Sequence, residues 1–550
     1  RNVPDETVPD ADKMELGKIY HMGREEKADL ILNRQAMASH TFVTGSTGTG
    51  KSNAVYHLLD EITKDGRTSF LVVEPAKGEY KNVFGSRADV KVFGTNPRET
   101  PLLRINPFAF PQNIHILEHI DRLVEIFNAC WPMYAAMPAV LKDAIERSYQ
   151  KVGWDLRNSE SEKGVFPTFF DLLDILPGVI EESHYSKDTQ SDYVGALCTR
   201  VKSLTNGIYG SVFCAEDALS DAELFDCNVV VDLSRVGSME TKSLLMGILV
   251  MKLQEYRMCG SEMNSRLRHV TVLEEAHNLL RKTSAEQPQE GANLQGKSVE
   301  MLANAIAEMR TYGEGFIIAD QAPGLLDMSV IRNTNTKIIL RLPDEEDRKL
   351  VGKSAALKEA QIDELSKLPL GVAAVYQNEW PEAVLCKIEA YPMPENAVYH
   401  KPSKMPHEIN AEFVFGQLAA GKELEPLSIS EMEQLKLWLK RHEMMLKAED
   451  GRYLEQVFAG GELDVAKTRK AVFDFFGGIS TVVDYCAAAE KSFTPRKEFL
   501  EQLQGQYGLK AAAADWVLNS VISMGMSLNP DAKAVDNLRT NFEQQGGRVL

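Results

Sequence analysis

Short apolar runs recur along the chain at positions 41–44, 69–73, 90–93, 229–232, 270–273, 316–319, 337–340 and 372–376. Several are continuous rather than alternating, the pattern of strands buried on both faces of a parallel sheet. Helical periodicity separates them, so the pattern predicts an α/β, doubly wound, mostly parallel sheet. From 106 to 225 the strand signals almost vanish, and apolar positions recur at helical spacing over 114–129, 139–151, 169–176 and 192–204. That stretch reads as an all-helical insertion in the sheet domain. From 401 onward the pattern is helical again, over 430–447, 465–476, 496–504 and 510–524. The predicted organisation is therefore an N-terminal segment (1–40), a core made of 41–105 and 226–400, a helical insertion (106–225) and a C-terminal helical module (401–550).

The length of 550 residues agrees with this division, since roughly 150 residues per domain gives three to four units. The longest apolar stretch, 244–253, is interrupted by Lys252 and is shorter than the roughly 18 residues a membrane span needs, so no membrane anchor is expected. The chain starts at Arg1 with no apolar segment near it, so no secretory leader is expected, and whether a further domain precedes it stays open. Seven cysteines in no CxxC spacing fit a reduced, cytoplasmic protein better than a disulfide framework. The net charge of −18 argues against a surface that coats nucleic acid throughout. The insertion, with nine basic and eighteen acidic residues, carries half of that excess. Any contact with DNA is expected to be local.

The sharpest chemical signal is Gly45-Ser46-Thr47-Gly48-Thr49-Gly50-Lys51-Ser52, a complete GxxxxGK[ST] pattern between a predicted strand and a predicted helix that starts at Asn53. In that setting the glycines let backbone N–H groups from Ser46 through Asn53 turn toward phosphates, Lys51 supplies a cation to the β and γ phosphates, and Ser52 supplies a hydroxyl to Mg²⁺. ATP and Mg²⁺ are the expected cofactors. Such a loop needs carboxylates at the end of a neighbouring strand. The run 228–234 ends in one, Asp232, whereas 269–277 ends in two, Glu274 and Glu275. The second is preferred, with Glu274 in the metal shell and Glu275 as base for the attacking water, and Asp232 is read as a structural strand end. The sequence Glu274-Glu275-Ala276-His277 lacks HExxH spacing, which excludes a zinc peptidase. Gln321, at the end of another strand, either orients the water or merely closes a turn. Arg310 is either a finger for a neighbouring subunit's nucleotide or a solvated helix-end arginine.

The ordered set GSTGTGKS, NVVVDLS, VTVLEEAHNLL, MRTYGEGFIIADQAP and VIRNTNTKIILRLPDEEDR resembles the HerA branch of the HerA/FtsK superfamily of DNA-pumping P-loop ATPases over roughly residues 15–400. The resemblance implies a RecA-like core, a homohexamer with nucleotide at subunit interfaces, and duplex DNA passing through the pore. It assigns Lys51 and Ser52 to phosphate and Mg²⁺, Glu274 and Glu275 to the acidic pair, Gln321 to the sensor and Arg310 to a finger supplied in trans. It also implies a partner nuclease or other effector, in DNA end processing or anti-phage defence. Many relatives carry Asp where Glu274 stands, and the β-barrel that usually precedes the core is not visible, so segment 1–40 is read as its possible remnant. Two rival readings are a conjugative or secretion ATPase and a nucleotide-dependent scaffold for a partner enzyme.

Translocation needs a few basic or polar segments facing the pore. The polar stretch 281–298, with Arg281, Lys282 and Lys297, is the first candidate, against a merely solvated loop. Arg257, Arg266 and Arg268 are read as a surface turn. The outline of 496–524 suits a helix-turn-helix, but its second helix is mostly apolar and lacks a basic face, which favours packing.

Overall fold

The computed structural model describes residues 8–134, 136–161, 164–215, 218–260, 262–283, 290–378, 380–393, 398–401, 414, 418, 448–458, 462–491, 494–507, 511–529 and 531–549. The described residues divide into two compact units, the first spanning Arg1–Glu160 and Phe166–Pro402, the second consisting mainly of Ser403–Leu550.

The first unit is built on one 11-stranded sheet. Its strands are β1 (Lys13–His21), β2 (Arg24–Asn33), β3 (Thr41–Thr44), β4 (Ser69–Glu74), β5 (Val90–Gly94), β6 (Asn228–Asp232), β7 (His269–Glu274), β8 (Glu314–Asp320), β9 (Thr336–Ile339), β10 (Val372–Gln377) and β11 (Val384–Ile388). They lie in the order β2-β1-β11-β10-β9-β3-β8-β7-β4-β6-β5. The seven from β9 to β5 are mutually parallel, and the four on the other side join by antiparallel pairing. Every residue of β3, β7 and β8 is buried, which is why these strands read as continuous apolar runs. Successive residues serve opposite faces: Val229 and Val231 enter one core cluster and Val230 the other. The first of these clusters holds the insertion helices Ile116–Cys130, Met137–Lys151 and Phe169–Glu182, so the insertion packs on one face of the sheet. The helix Met239–Gly260 lies in the same cluster and buries every residue of 244–253, Lys252 included. Lys252 is accommodated by the Ala109 carbonyl at 3.1 Å and Asp221 at 3.2 Å. The apolar stretch is thus a core helix, and among the described residues no single helix is long and apolar enough to cross a membrane.

Segment 1–40, read as a possible barrel remnant, adds two strands to the central sheet in its described part. β1 and β2 form a hairpin that extends the central sheet, β1 pairing with β11 at Gly17 to Ile388. Met14, Leu16, Leu30 and Leu32 complete the core on that side.

In the second unit the helices Ala448–Phe458, Val465–Phe475, Gly478–Lys491, Pro495–Tyr507, Ala511–Leu528 and Ala532–Gln544 surround a core that includes Leu454, Phe473, Tyr485 and Phe542. Ala511–Leu528 contributes Ala514, Val517, Leu518, Val521 and Ile522, one stripe at helical spacing. It is a packing helix, as its apolar composition indicated. The predicted helix 430–447 lies outside the described residues.

Candidate nucleotide site

The register of the parallel strands decides what meets at their C-terminal ends. Asp320 of β8 stands level with Thr44 of β3, and Ala319 level with Glu274 of β7. The next residues, Gln321, Gly45 and Glu275, are therefore neighbours. On the other flank Val73 of β4 is level with Leu273, and Glu74 with Asp232 of β6. Three carboxylates, Asp232, Glu74 and Glu274, end adjacent strands.

The phosphate loop runs from Gly45 into the helix Lys51–Thr63. Gly48 (φ 76°) and Gly50 (φ 105°) take left-handed backbone that a side chain would oppose. Ser46 is tied down by its N–H donating to the Arg341 carbonyl (3.0 Å), and Thr49 by its hydroxyl donating to the Ser46 carbonyl (2.7 Å). No side chain caps the helix at Gly50, so its first N–H groups remain available to an anion. Lys51, buried, donates from Nζ to Glu274 Oε2 (2.9 Å) and Glu275 Oε1 (3.3 Å). Burial alone would lower its pKa, but the two carboxylates outweigh it and hold the ammonium above the usual lysine value. Glu275 follows β7 in a left-handed turn (φ 45°), which brings its carboxylate back toward Lys51. Gln321 donates to Glu275 Oε1 (2.5 Å) and accepts from the Thr47 hydroxyl (2.7 Å). Thr47, Gln321, Glu275 and Lys51 thus form a continuous chain of polar contacts between loop and acidic strand. An open cleft of about 260 Å³ adjoins it, lined by loop residues 46–48 and 50–53, Lys77, Gln321 and Leu370.

Several residues at the site carried no sequence signal. Tyr80, fully buried, donates its hydroxyl to Glu274 Oε1 (2.5 Å). Glu74 accepts the N–H groups of Glu79 (2.8 Å) and Tyr80 (3.1 Å), fixing the turn that delivers Tyr80. Burial pushes the Glu74 carboxyl up to about 8, with the Asp232 and Glu274 carboxylates adding to the shift against those two hydrogen bonds. His277 is linked through Nδ1 to Asp320 (2.9 Å), which raises its pKa, and lies 3.6 Å from Glu275. Only the strand order brings these groups together. Asp232 accepts from Lys81 Nζ (2.5 Å), in agreement with a structural strand end.

Among the other predicted residues, Asn53 lines the cleft while the rest fall elsewhere. Asn53 uses its side chain to hold the backbone of 389–391, accepting from the Tyr391 N–H (2.8 Å) and donating to the Glu389 carbonyl (2.8 Å). Arg310 is exposed and lies just before β8, at the end of the strand away from the phosphate loop. Seven strand residues separate those ends, roughly 23 Å. Arg257 is not in a surface turn: it is 1% exposed and binds Glu314 (2.9 Å) and Asp226 (2.8 Å). Arg266 is exposed and pairs with Asp12 (2.9 Å). Stretch 281–298 is not one loop, because its last part is the start of the helix Glu290–Glu308. Ser298 donates there to Glu125 (2.5 Å), while Arg281, Lys282 and Lys297 are exposed and 284–289 lie outside the described residues.

A family model described as the helicase HerA central domain matches residues 14–218. The DNA double-strand break repair helicase HerA of Sulfolobus acidocaldarius is 25% identical over 397 residues, covering 70% of this chain and 71% of that protein. The chain is a P-loop ATPase similar to the HerA helicases. A probable helicase of Methanocaldococcus jannaschii is 23% identical over 428 residues, covering 71% of this chain and 75% of its own. Among solved structures, VirB4 of Thermoanaerobacter pseudethanolicus has the same fold, with a TM-score of 0.52 at 19% identity over 70% of this chain and 98% of that one. The matched HerA domain begins inside β1, so the hairpin of this HerA-like ATPase lies within the family's central domain.

Proposed function

We propose that this ATPase is a DNA translocase that works as a hexameric ring in the cytoplasm, hydrolyses ATP between subunits and drives a nuclease or other effector partner. The chain of contacts Thr47, Gln321, Glu275 and Lys51 carries the reading, because it links the group that would bind phosphate to the group that would activate water. Ser52 and Glu274 are hard oxygen donors of the kind Mg²⁺ prefers and would hold it beside the phosphates. When bound, the ion supplies charge neutralisation to the β and γ oxygens. Triphosphate in the loop competes with Glu274 and Glu275 for Lys51, and release of Lys51 leaves Glu275 free to accept a proton from water. Gln321 reports that change to Thr47. Arg310 is too far from its own chain's loop to reach the nucleotide, and its exposure suits a site on a neighbour. The names of the HerA relatives supply the DNA part of the proposal, and Arg281, Lys282 and Lys297 are the basic residues proposed to meet the phosphate backbone.

The test is ATP-driven displacement of streptavidin from the biotinylated end of a linear duplex. Wild-type protein is expected to displace it and Glu275→Gln to bind ATP without doing so. Displacement by Glu275→Gln, or none by the wild type, would overturn the proposal.

A further inference from the structure

The phosphate loop already has its lysine, yet a second one enters the same cleft from a different strand. Lys77 lies in the turn after β4 and lines the cleft with Thr47, Lys51, Ser52 and Gln321. Its backbone is left-handed (φ 44°), a conformation that opposes a residue with a side chain. The turn is closed by Gly78 N–H donating to the Ala76 carbonyl (2.5 Å), a three-residue turn centred on Lys77. Two features hold it there. Glu74 takes the N–H groups of Glu79 and Tyr80. Gly78 (φ 68°) sits so close to Ser234 and Asp232 that a Cβ would meet the Ser234 hydroxyl at 2.9 Å. The surroundings thus impose a strained backbone on a lysine that lines the cleft beside the loop, and strain of this kind is retained at sites where position matters.

The charge is also little used within the chain. Glu79 Oε2 is 3.9 Å away and both side chains are about half exposed. Lys51, by contrast, is held by two buried carboxylates. The strand order fixes the direction of approach: β4 lies beyond β7, so Lys77 arrives from the side of the acidic pair, where the phosphate-loop lysine also points. A bound triphosphate presents its terminal phosphate to that side.

We infer that Lys77 is a second nucleotide-contacting lysine, which binds the γ-phosphate of ATP held in its own chain's phosphate loop and so distinguishes triphosphate from diphosphate. This goes beyond the DNA-pump reading and does not depend on it.

The experiment uses calorimetric titration of the full chain with ADP and with a non-hydrolysable ATP analogue, for wild type, Lys77→Gly and Lys77→Arg. Lys77→Gly removes the amine while suiting the left-handed backbone, so its melting temperature is expected to stay level or rise. Its affinity for the ATP analogue is expected to fall about tenfold or more, the scale of a lost charge-assisted hydrogen bond, with ADP affinity changed less than about twofold. Lys77→Arg is expected to recover most of the loss. Equal loss for both nucleotides, or none for either in a folded Lys77→Gly protein, would overturn the inference.

Discussion

Glu74 offers a stability test that depends on the strand register alone. It is buried at the end of β4 between Asp232 and Glu274, with its carboxyl pushed up to about 8 from an ordinary 4.5. In the unfolded chain the carboxyl ionises above about 4.5, whereas in the fold it keeps its proton until about 8. The unfolded state therefore binds fewer protons across that window, and stability contributed by Glu74 falls as pH rises through it. At about 1.4 kcal/mol per pKa unit the shift is worth roughly 5 kcal/mol at most. The first unit has about 400 residues, and at about 2.1 cal/mol/K per residue 1 kcal/mol corresponds to roughly 1.2 °C in melting temperature. Glu74→Gln keeps a carbonyl that accepts the N–H groups of Glu79 and Tyr80 but cannot ionise. The expected result, from calorimetric melting of the nucleotide-free chain at about pH 5 and about pH 8.5, is a melting temperature that drops by roughly 4–6 °C more in the wild type than in the variant. Taking the difference between the two proteins removes the titration of every other group. Equal pH dependence in both would refute the burial of Glu74 between two carboxylates.

Two further outcomes follow from the same geometry. Arg257→Ala removes the arginine partner of the fully buried Glu314, which keeps His269 and Thr271, and is expected to cost about 3–5 kcal/mol, read as a lower melting temperature, whereas a surface arginine would change it by about 0.5 kcal/mol or less. Arg310→Ala is expected to lower ATP turnover about 10³-fold, and mixing it with Lys51→Ala chains should restore part of the rate, since the latter keep an arginine to offer to an intact neighbouring site; a mixture no faster than its components would place the finger elsewhere.

What the sequence made legible was whatever is local. The phosphate loop is a contiguous pattern, and strands such as Val229–Val231 within β6 announce themselves because both faces are buried. The flanking strands were harder to read. β2 begins with six exposed residues and β1 contains Gly17 and a bulged register with β2, so neither shows a sustained period. The start of the helix Glu290–Glu308 resembled a loop because it is polar and holds Gly291 and Gly296. Arg257 resembled a surface residue because its partners, Asp226 and Glu314, are 31 and 57 positions away. Lys77, Tyr80 and Glu74 belong to the site only because β4 lies next to β7, an adjacency that no local pattern encodes.

Coupling of hydrolysis to movement on duplex DNA is read from the rate of ATP turnover by the full chain with and without linear double-stranded DNA. Strong stimulation by DNA is expected, abolished in Glu275→Gln. A rate indifferent to DNA, from protein that binds and hydrolyses ATP, would contradict it.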